Sequence, residues 1–330
     1  MNLIIRTQLI KRICGRCLFT AALLLCARTG FAQSKSQPAP PASSAISVQT
    51  DLVVVPVSVT DSKGSAVLGL TEQNFRVYED GRLQKIAMFQ QGDTPITVGL
   101  IVDHSRSMGT QLNEVADAVS SFAQSGNPRD EMFVVDFNDD VSVELLNGKP
   151  FTDDPKELAK AVFSVRARGR TALYDAVAEG LLHLQLGHYE RKALIIISDG
   201  GDNASQQKFA QVLALAQKSQ VVIYSIGLIS DDGEVNPAVL RHFSKATGGI
   251  AYFPDRTNTV TSISTQIARD LREQYTLGFA PEKANNSHAF RKIEVKVSAP
   301  GKGKLRARTR TGYSASEDKP AGAQSAKGAQ

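Results

Sequence analysis

The sequence predicts an α/β fold in which a doubly wound, mostly parallel sheet is inserted in a small, discontinuous β-sandwich-like domain. Four continuous apolar runs, TVGLIV, MFVVDF, ALIIIS and VVIYSIGLI, alternate with amphipathic helical stretches between Ile96 and Glu273. Such runs read as strands buried on both faces, and the helices between them as the crossovers that parallel pairing needs. On both flanks the hydrophobic period falls to two, as in half-buried antiparallel strands. Neither flank has enough strands to bury a face alone, so the two are expected to pair with each other around the insertion.

The chain opens with Arg6, Lys11, Arg12 and Arg16, an apolar stretch from Leu18 to Ala27, and Gly30-Phe31-Ala32. That order is a secretory signal peptide over 1–32, cut after Ala32, and it sends the mature chain to a periplasm or beyond the cell. The apolar stretch is shorter than the roughly 20 residues of a membrane span. Leu25 before Cys26 is not the small residue that a lipoprotein cut requires, so no stable span or anchor is expected in the mature chain.

Removing the leader changes the composition. It holds five of the 38 basic residues and none of the 33 acidic ones, so the mature chain is balanced at 33 of each. A nucleic-acid partner argued from net charge is thereby excluded. Cys14, Cys17 and Cys26 all leave with the leader, so the mature protein has no disulfide or thiolate metal site and depends on its core.

The remaining elements follow in order. SKSQPAPPASSA, within 33–45, is a flexible linker. A first β segment spans 46–94: Val53, Val55, Val57 and Val59 share one strand face, Asp61-Ser62-Lys63-Gly64 turns, and Asp80-Gly81 joins a hairpin in FRVYEDGRLQKIAMF. The insertion spans 95–273, with Leu112, Val115, Val119 and Phe122, then Leu173, Val177, Leu181 and Leu184, at helical spacing. The second β segment, 274–313, holds YTLGFAP, FRKIEVKVSAP and KLRARTRTGY; the tail from 314 to 330 has a disordered composition.

The chemistry concentrates in three loops: Asp103, Ser105 and Ser107 in IVDHSRSMG, Thr171 in GRTALYDA, and Asp199 in LIIISDGGDN. All five side chains offer oxygen, and in an open α/β sheet ligands gather beyond the carboxyl ends of the strands. Two carboxylates and three hydroxyls suit a hard divalent cation, Mg²⁺ or else Mn²⁺ or Ca²⁺, without saturating it. A position left open would take an external oxygen, most favourably an Asp or Glu carboxylate of a protein partner.

Those residues resemble the metal-ion-dependent adhesion site of von Willebrand factor type A domains, with TALYDA and SDGGDN similar to that family's second and third metal loops. The resemblance covers roughly Pro95 to Glu273 and implies a Rossmann-like domain. It also implies metal contact, direct or through water, for Ser105, Ser107 and Thr171, and often through water for Asp103 and Asp199. The flanks, LVVVPVSVTDSKGSAVLGLTEQNFRVYEDG and QYTLGFAPE through RTRTGY, are similar to secreted proteins of the acidobacterial von Willebrand A-related type. A movement of the last helix of the insertion on ligand binding is a further implication.

Plainer readings account for the other polar residues. His104 reads as a surface side chain, and Asp202 as a cap, turn or charge-tuning residue. Asp139-Asp140 and Asp231-Asp232 read as solvated loop acids. His183, His188, His242 and His288 lack metal-ligand spacing. Arg306, Arg308 and Arg310 alternate on one face of the last strand, where charge protects an edge from pairing or is merely solvated, binding of an anionic surface being the other reading. No enzyme is expected: the chain has no Walker loop, no nucleophile elbow, no D-x-D string and no general base near the oxygen ligands. The function read from the sequence is a metal-dependent protein-binding module of adhesion type. The alternatives are an envelope assembly or structural protein binding through its β domain, and a metal-dependent hydrolase.

Overall fold

The computed structural model of the chain describes residues 52–145, 148–229, 236–255, 259–281 and 290–314. The expected leader, linker and first residues of the β segment lie outside these, as do residues 315–330, Asp231-Asp232 and His288.

The central sheet has six strands: β5 (Thr97–Asp103), β6 (Glu131–Phe137), β7 (Val141–Glu144), β8 (Lys192–Ser198), β9 (Val222–Gly227) and β10 (Ala251–Tyr252), in spatial order β10-β9-β8-β5-β6-β7. All pairs are parallel except β6–β7. β5 and β9 are buried along their whole length, which is why these runs show no alternation.

Among the described residues six α-helices cover the sheet: α1 (Leu112–Ser125), α2 (Pro155–Ser164), α3 (Leu173–His183), α4 (Phe209–Lys218), α5 (Pro237–Thr247) and α6 (Val260–Arg272). On one face Val115, Val119 and Phe122 of α1, Leu158 and Val162 of α2, and Ile263, Ile267 and Leu271 of α6 pack on Val98, Leu100 and Val102 of β5 and their neighbours. On the other, Leu173 and Val177 of α3, Val212 of α4, and Leu240 and Phe243 of α5 pack on Ile101, Phe133, Leu194 and Ile196. Each such side chain contributes about 1.5–3 kcal/mol over an exposed one.

The flanks supply β1 (Val53–Thr60), β2 (Phe75–Glu79), β3 (Arg82–Gln84) and β4 (Ile86–Gln91) before the insertion. After it come β11 (Tyr275–Phe279), β12 (Phe290–Val297), β13 (Arg306–Arg308) and β14 (Gly312–Ser314). They form two antiparallel sheets, β13-β1-β11-β4 and β14-β12-β2-β3, each mixing strands from both flanks. One core of Val55, Val57, Phe75, Val77, Tyr275, Leu277, Phe279 and Ile293 lies between them, so the expected discontinuous sandwich is present. The hairpin turn is where the sequence put it: Asp80 and Gly81 both have positive φ, 46° and 81°, as a two-residue turn of matching twist demands.

Two details differ from expectation. The hairpin's return strand is split: β3 pairs with β2, and β4 crosses to the other sheet to pair with β11. The last strand is split likewise, β13 pairing with β1 and β14 with β12. The reading of Arg306, Arg308 and Arg310 as one solvated face is therefore corrected. Only Arg306 is exposed. Arg308 turns inward, its Nη2 donating to Asp270 Oδ2 of α6 at 2.5 Å and to Ser58 Oγ at 2.9 Å. Arg310 is buried in the crossover, where its Nε donates to Gly312 O at 2.9 Å and Nη2 to Gln217 O. Burial pushes its pKa down to about 10, still above neutrality.

Candidate metal centre

Asp103 is the last residue of β5 and Ser198 the last of β8, and these adjacent strands lie where the chain order reverses. One connection from β5 leads outward to β6, and the chain later returns to β8 on its other side. The loops after β5 and β8 therefore part to leave a crevice, the usual ligand position of an open α/β sheet.

The oxygen donors meet there. Asp103 Oδ1 accepts from Ser105 N at 2.8 Å, closing the short loop back on the strand end. Asp103 Oδ2 accepts from Ser198 Oγ at 2.6 Å. The hydroxyls of Ser105 and Ser107 are 3.2 Å apart, and Ser107 Oγ donates to Asp199 Oδ2 at 3.1 Å. The other Asp199 oxygen accepts from Gly201 N at 2.8 Å. Four of the five sequence-predicted residues thus form one hydrogen-bonded chain across two loops.

Thr171 joins through its backbone. It lies one residue before the N-cap of α3. Its N–H donates to Asn203 Oδ1 at 2.9 Å, and its carbonyl accepts from Asn203 N at 2.9 Å and Ala204 N at 3.0 Å. The loop that carries Asp199 therefore also holds Thr171. Asp202, in the same loop, accepts from Tyr174 N at 3.2 Å and Ser205 Oγ at 2.6 Å, which is a capping role.

Asp103, Ser105, Thr171 and Asp199 are buried and Ser107 is half-buried. Burial raises the Asp103 pKa from 3.8 to about 6, helped by the nearby Asp199 charge and opposed by the bonds from Ser105 and Ser198. A carboxylate so placed is short of positive charge. An all-oxygen set of two carboxylates and three hydroxyls fits a hard divalent cation, with Asp103, Ser105, Ser107, Thr171 and Asp199 as its holders. Among the described residues no cluster of three or more His, Cys, Asp or Glu side chains is present, so only two carboxylates would offset the cation's charge.

His104 is not at the surface, contrary to the sequence reading. It is fully buried, its backbone N–H donates to Phe137 O at 2.8 Å, and its Nε2 lies 2.8 Å from Val162 O at the end of α2. Its Nδ1 lies 3.0 Å from Asp136 Oδ1. Desolvation lowers its pKa, but the hydrogen bond and charge of Asp136 outweigh that and the net shift is upward. The apolar–polar pattern could not show this, because a histidine between an aspartate and a serine in a loop carries no burial signal.

The sequence reading also missed the loop that braces the site from the side. Arg168 N donates to His104 O at 2.8 Å and Arg106 N to Gly169 O at 3.4 Å, so residues 166–170 run alongside the loop of Asp103, Ser105 and Ser107. Asp139, taken for a solvated acid, anchors that segment: it accepts from Arg170 N at 3.2 Å and Arg170 Nε at 2.8 Å. The Arg170 guanidinium holds the Asp139 carboxyl below its ordinary range. Of the other described histidines, His183 packs on Phe133 with ring centroids 4.3 Å apart and planes tilted by 43°, and His188 is paired with Glu131 at 2.6 Å.

Comparison with known proteins agrees with this architecture. A von Willebrand factor type A structure from Catenulispora acidiphila is 13% identical, covers 74% of this chain and 74% of its own, and superposes with a TM-score of 0.50. Proximal thread matrix protein 1 of the mussel byssus, solved with zinc in its metal-ion-dependent adhesion motif, is 16% identical over 59% of this chain and 50% of its own, with a TM-score of 0.48. The manganese-loaded TRAP protein of Plasmodium vivax is 12% identical over 71% and 97%, with a TM-score of 0.43. None of the curated proteins matches the sequence. Residues 98–266 match the von Willebrand factor type A domain, slightly more than half of the 330 residues, and the chain belongs to that family.

Proposed function

We propose that the protein is an extracytoplasmic, metal-dependent protein-binding module, in which Asp103, Ser105, Ser107, Thr171 and Asp199 hold a divalent cation facing an acidic residue of a partner. The observation that carries this reading is the hydrogen-bonded chain from Ser198 through Asp103, Ser105 and Ser107 to Asp199, which gathers oxygen donors of two loops at the sheet's switch point. Domains of this family are typically metal-dependent adhesion modules and usually not catalytic.

A cation held there supplies a concentrated positive charge for an oxygen of the partner. The chain's own residues do the arranging. Ser198 and the Ser105 N–H fix both oxygens of Asp103, Gly201 N–H fixes one oxygen of Asp199, and Asn203 fixes the backbone of Thr171. The imidazole of His104 is sealed among Val102, Val162 and Asp136, so it does not face the oxygen donors as a general base would have to. The leader read at 1–32 and the likeness of the flanks to secreted acidobacterial proteins support a location outside the cytoplasm.

The test is calorimetric titration of metal-stripped residues 33–330 with Mg²⁺, Mn²⁺ and Ca²⁺, beside Asp103→Ala. Saturable binding is expected in the wild type and none in the variant. A wild type that binds no cation, or a variant that binds as well, overturns the reading.

A further inference from the structure

The loop between α2 and α3 carries Arg166, Arg168 and Arg170 at alternate positions, all exposed, with Ala167 and Gly169 between them half-buried. Its backbone is fixed to the metal loop by the Arg168–His104 and Arg106–Gly169 bonds and to the β6–β7 turn by Ala172 N, which donates to Asn138 O at 2.9 Å. Arg106, exposed on the metal loop itself, completes a set of four guanidinium groups on this side of the crevice.

The acids on the adjoining β6–β7 turn are Asp139 and Asp140. Asp139 is paired with Arg170, and the charge of Arg168 also reaches it. Four cations thus face two anions on this rim. Two carboxylates in the crevice are balanced once a divalent cation is held, so the excess on the rim is then positive.

The geometry points to a partner segment bearing several acidic side chains, one carboxylate at the cation and the following ones at Arg166, Arg168 and Arg106. This deepens the proposed function and rests on it for the first contact. The rim selects among acidic ligands, because a lone carboxylate satisfies the cation and only a clustered one also meets the arginines. Charges of this kind at a rim act chiefly on encounter rate and choice of partner.

The experiment uses residues 33–330 in Mg²⁺ and two fluorescent peptides, Asp-Ser-Glu-Ser-Glu-Ser and the same peptide with Gln for both Glu, read by anisotropy. Arg166→Ser with Arg168→Ser is the variant. Its backbone bonds are unaffected by the change of side chain, and Arg170 stays in place against Asp139. The acidic peptide is expected to bind about tenfold tighter than the Gln peptide to the wild type. The preference is expected to vanish in the variant while Gln-peptide binding and cation affinity are kept, and to shrink in high salt.

Equal affinity for the two peptides, or a preference that survives in the variant, overturns the inference. So does a heparin-derived oligosaccharide that binds more tightly than the acidic peptide without cation, which would assign the rim to sulfated glycans. If calorimetry shows no cation binding, the proposed function fails by itself. The rim is then judged in chelator, where an arginine-dependent preference for the acidic peptide supports it and no preference overturns it.

Discussion

His104 Nδ1 lies 3.0 Å from Asp136 Oδ1, with both side chains sealed from solvent beneath the loop that carries Asp103, Ser105 and Ser107. Nε2 faces Val162 O, so both ring nitrogens address oxygen acceptors, an arrangement that only the doubly protonated ring satisfies. The pair ties the loop of Asp103 to β6 and to the end of α2. Removing one partner strands the other's charge in the interior. His104→Ala is therefore expected to lose about 3–5 kcal/mol in urea unfolding. His104→Ala combined with Asp136→Ala is expected to lose less than the two single changes summed. Additive losses would show that the pair is not coupled.

The same pair sets a pH dependence. The folded-state pKa of His104 lies above its ordinary 6.5, so its contribution is complete below that value and fades as pH rises through the raised one. Stability of the metal-free protein measured between pH 6 and 9 should fall more in the wild type than in His104→Gln.

Asp103 works in the same sense at lower pH, from burial of the carboxylate rather than from an ion pair. Its pKa rises from 3.8 unfolded to about 6 folded, so the metal-free fold binds this proton more tightly and loses stability as pH climbs through that window. Two units correspond to about 3 kcal/mol. Metal-free Asp103→Asn is accordingly expected to be more stable than metal-free wild type at pH 7.5, and to gain nothing from Mg²⁺. The wild type should gain thermal stability from Mg²⁺ at pH 7.5 and much less at pH 5, where the proton competes.

Gly169 has φ +70°, and a Cβ there would stand 1.8 Å from Asp139 Oδ2. Gly169→Ala should destabilise by about 1–3 kcal/mol and weaken cation binding by loosening the segment that leads to Thr171. Adding Asp139→Ala should recover part of the loss, the collision, and leave the rest, the backbone strain. Calorimetry and unfolding of the double variant separate the two.

Arg308 joins the sandwich to α6 through Asp270, to which Tyr224 also donates. Arg308→Ala leaves that half-buried carboxylate with less positive charge and should cost about 2–3 kcal/mol. Unchanged stability would reduce the contact to an incidental one.

Much of this was legible in the sequence for identifiable reasons. β5, β6, β8 and β9 are buried on both faces and so read as unbroken apolar runs, and the Asp80-Gly81 turn carries its own dihedral requirement. Asp103, Ser105, Ser107 and Asp199, which the fold gathers, stood out because oxygen-bearing side chains just beyond strand ends have a recognisable spacing. Period-two alternation marks a strand face but not its partner, so the crossings near Lys85 and Arg310 between sheets were hidden. The burial of His104 and the bracing by Asp139 were hidden too, since each depends on a neighbour far along the chain.

β4 and β11 are paired, Gln91 opposite Tyr275, and everything from residue 92 to residue 274 is strung between them. Topologically the α/β unit is the turn of a β-hairpin, grown to the size of a domain. Closing so long a loop from an unfolded chain is entropically costly, and a folded insertion removes that cost by delivering its two ends side by side. Assembly is thus expected to start in the crossovers and finish with the sandwich zipping shut. Replacing residues 92–274 by a short turn should then leave a hairpin whose closure is local and fast.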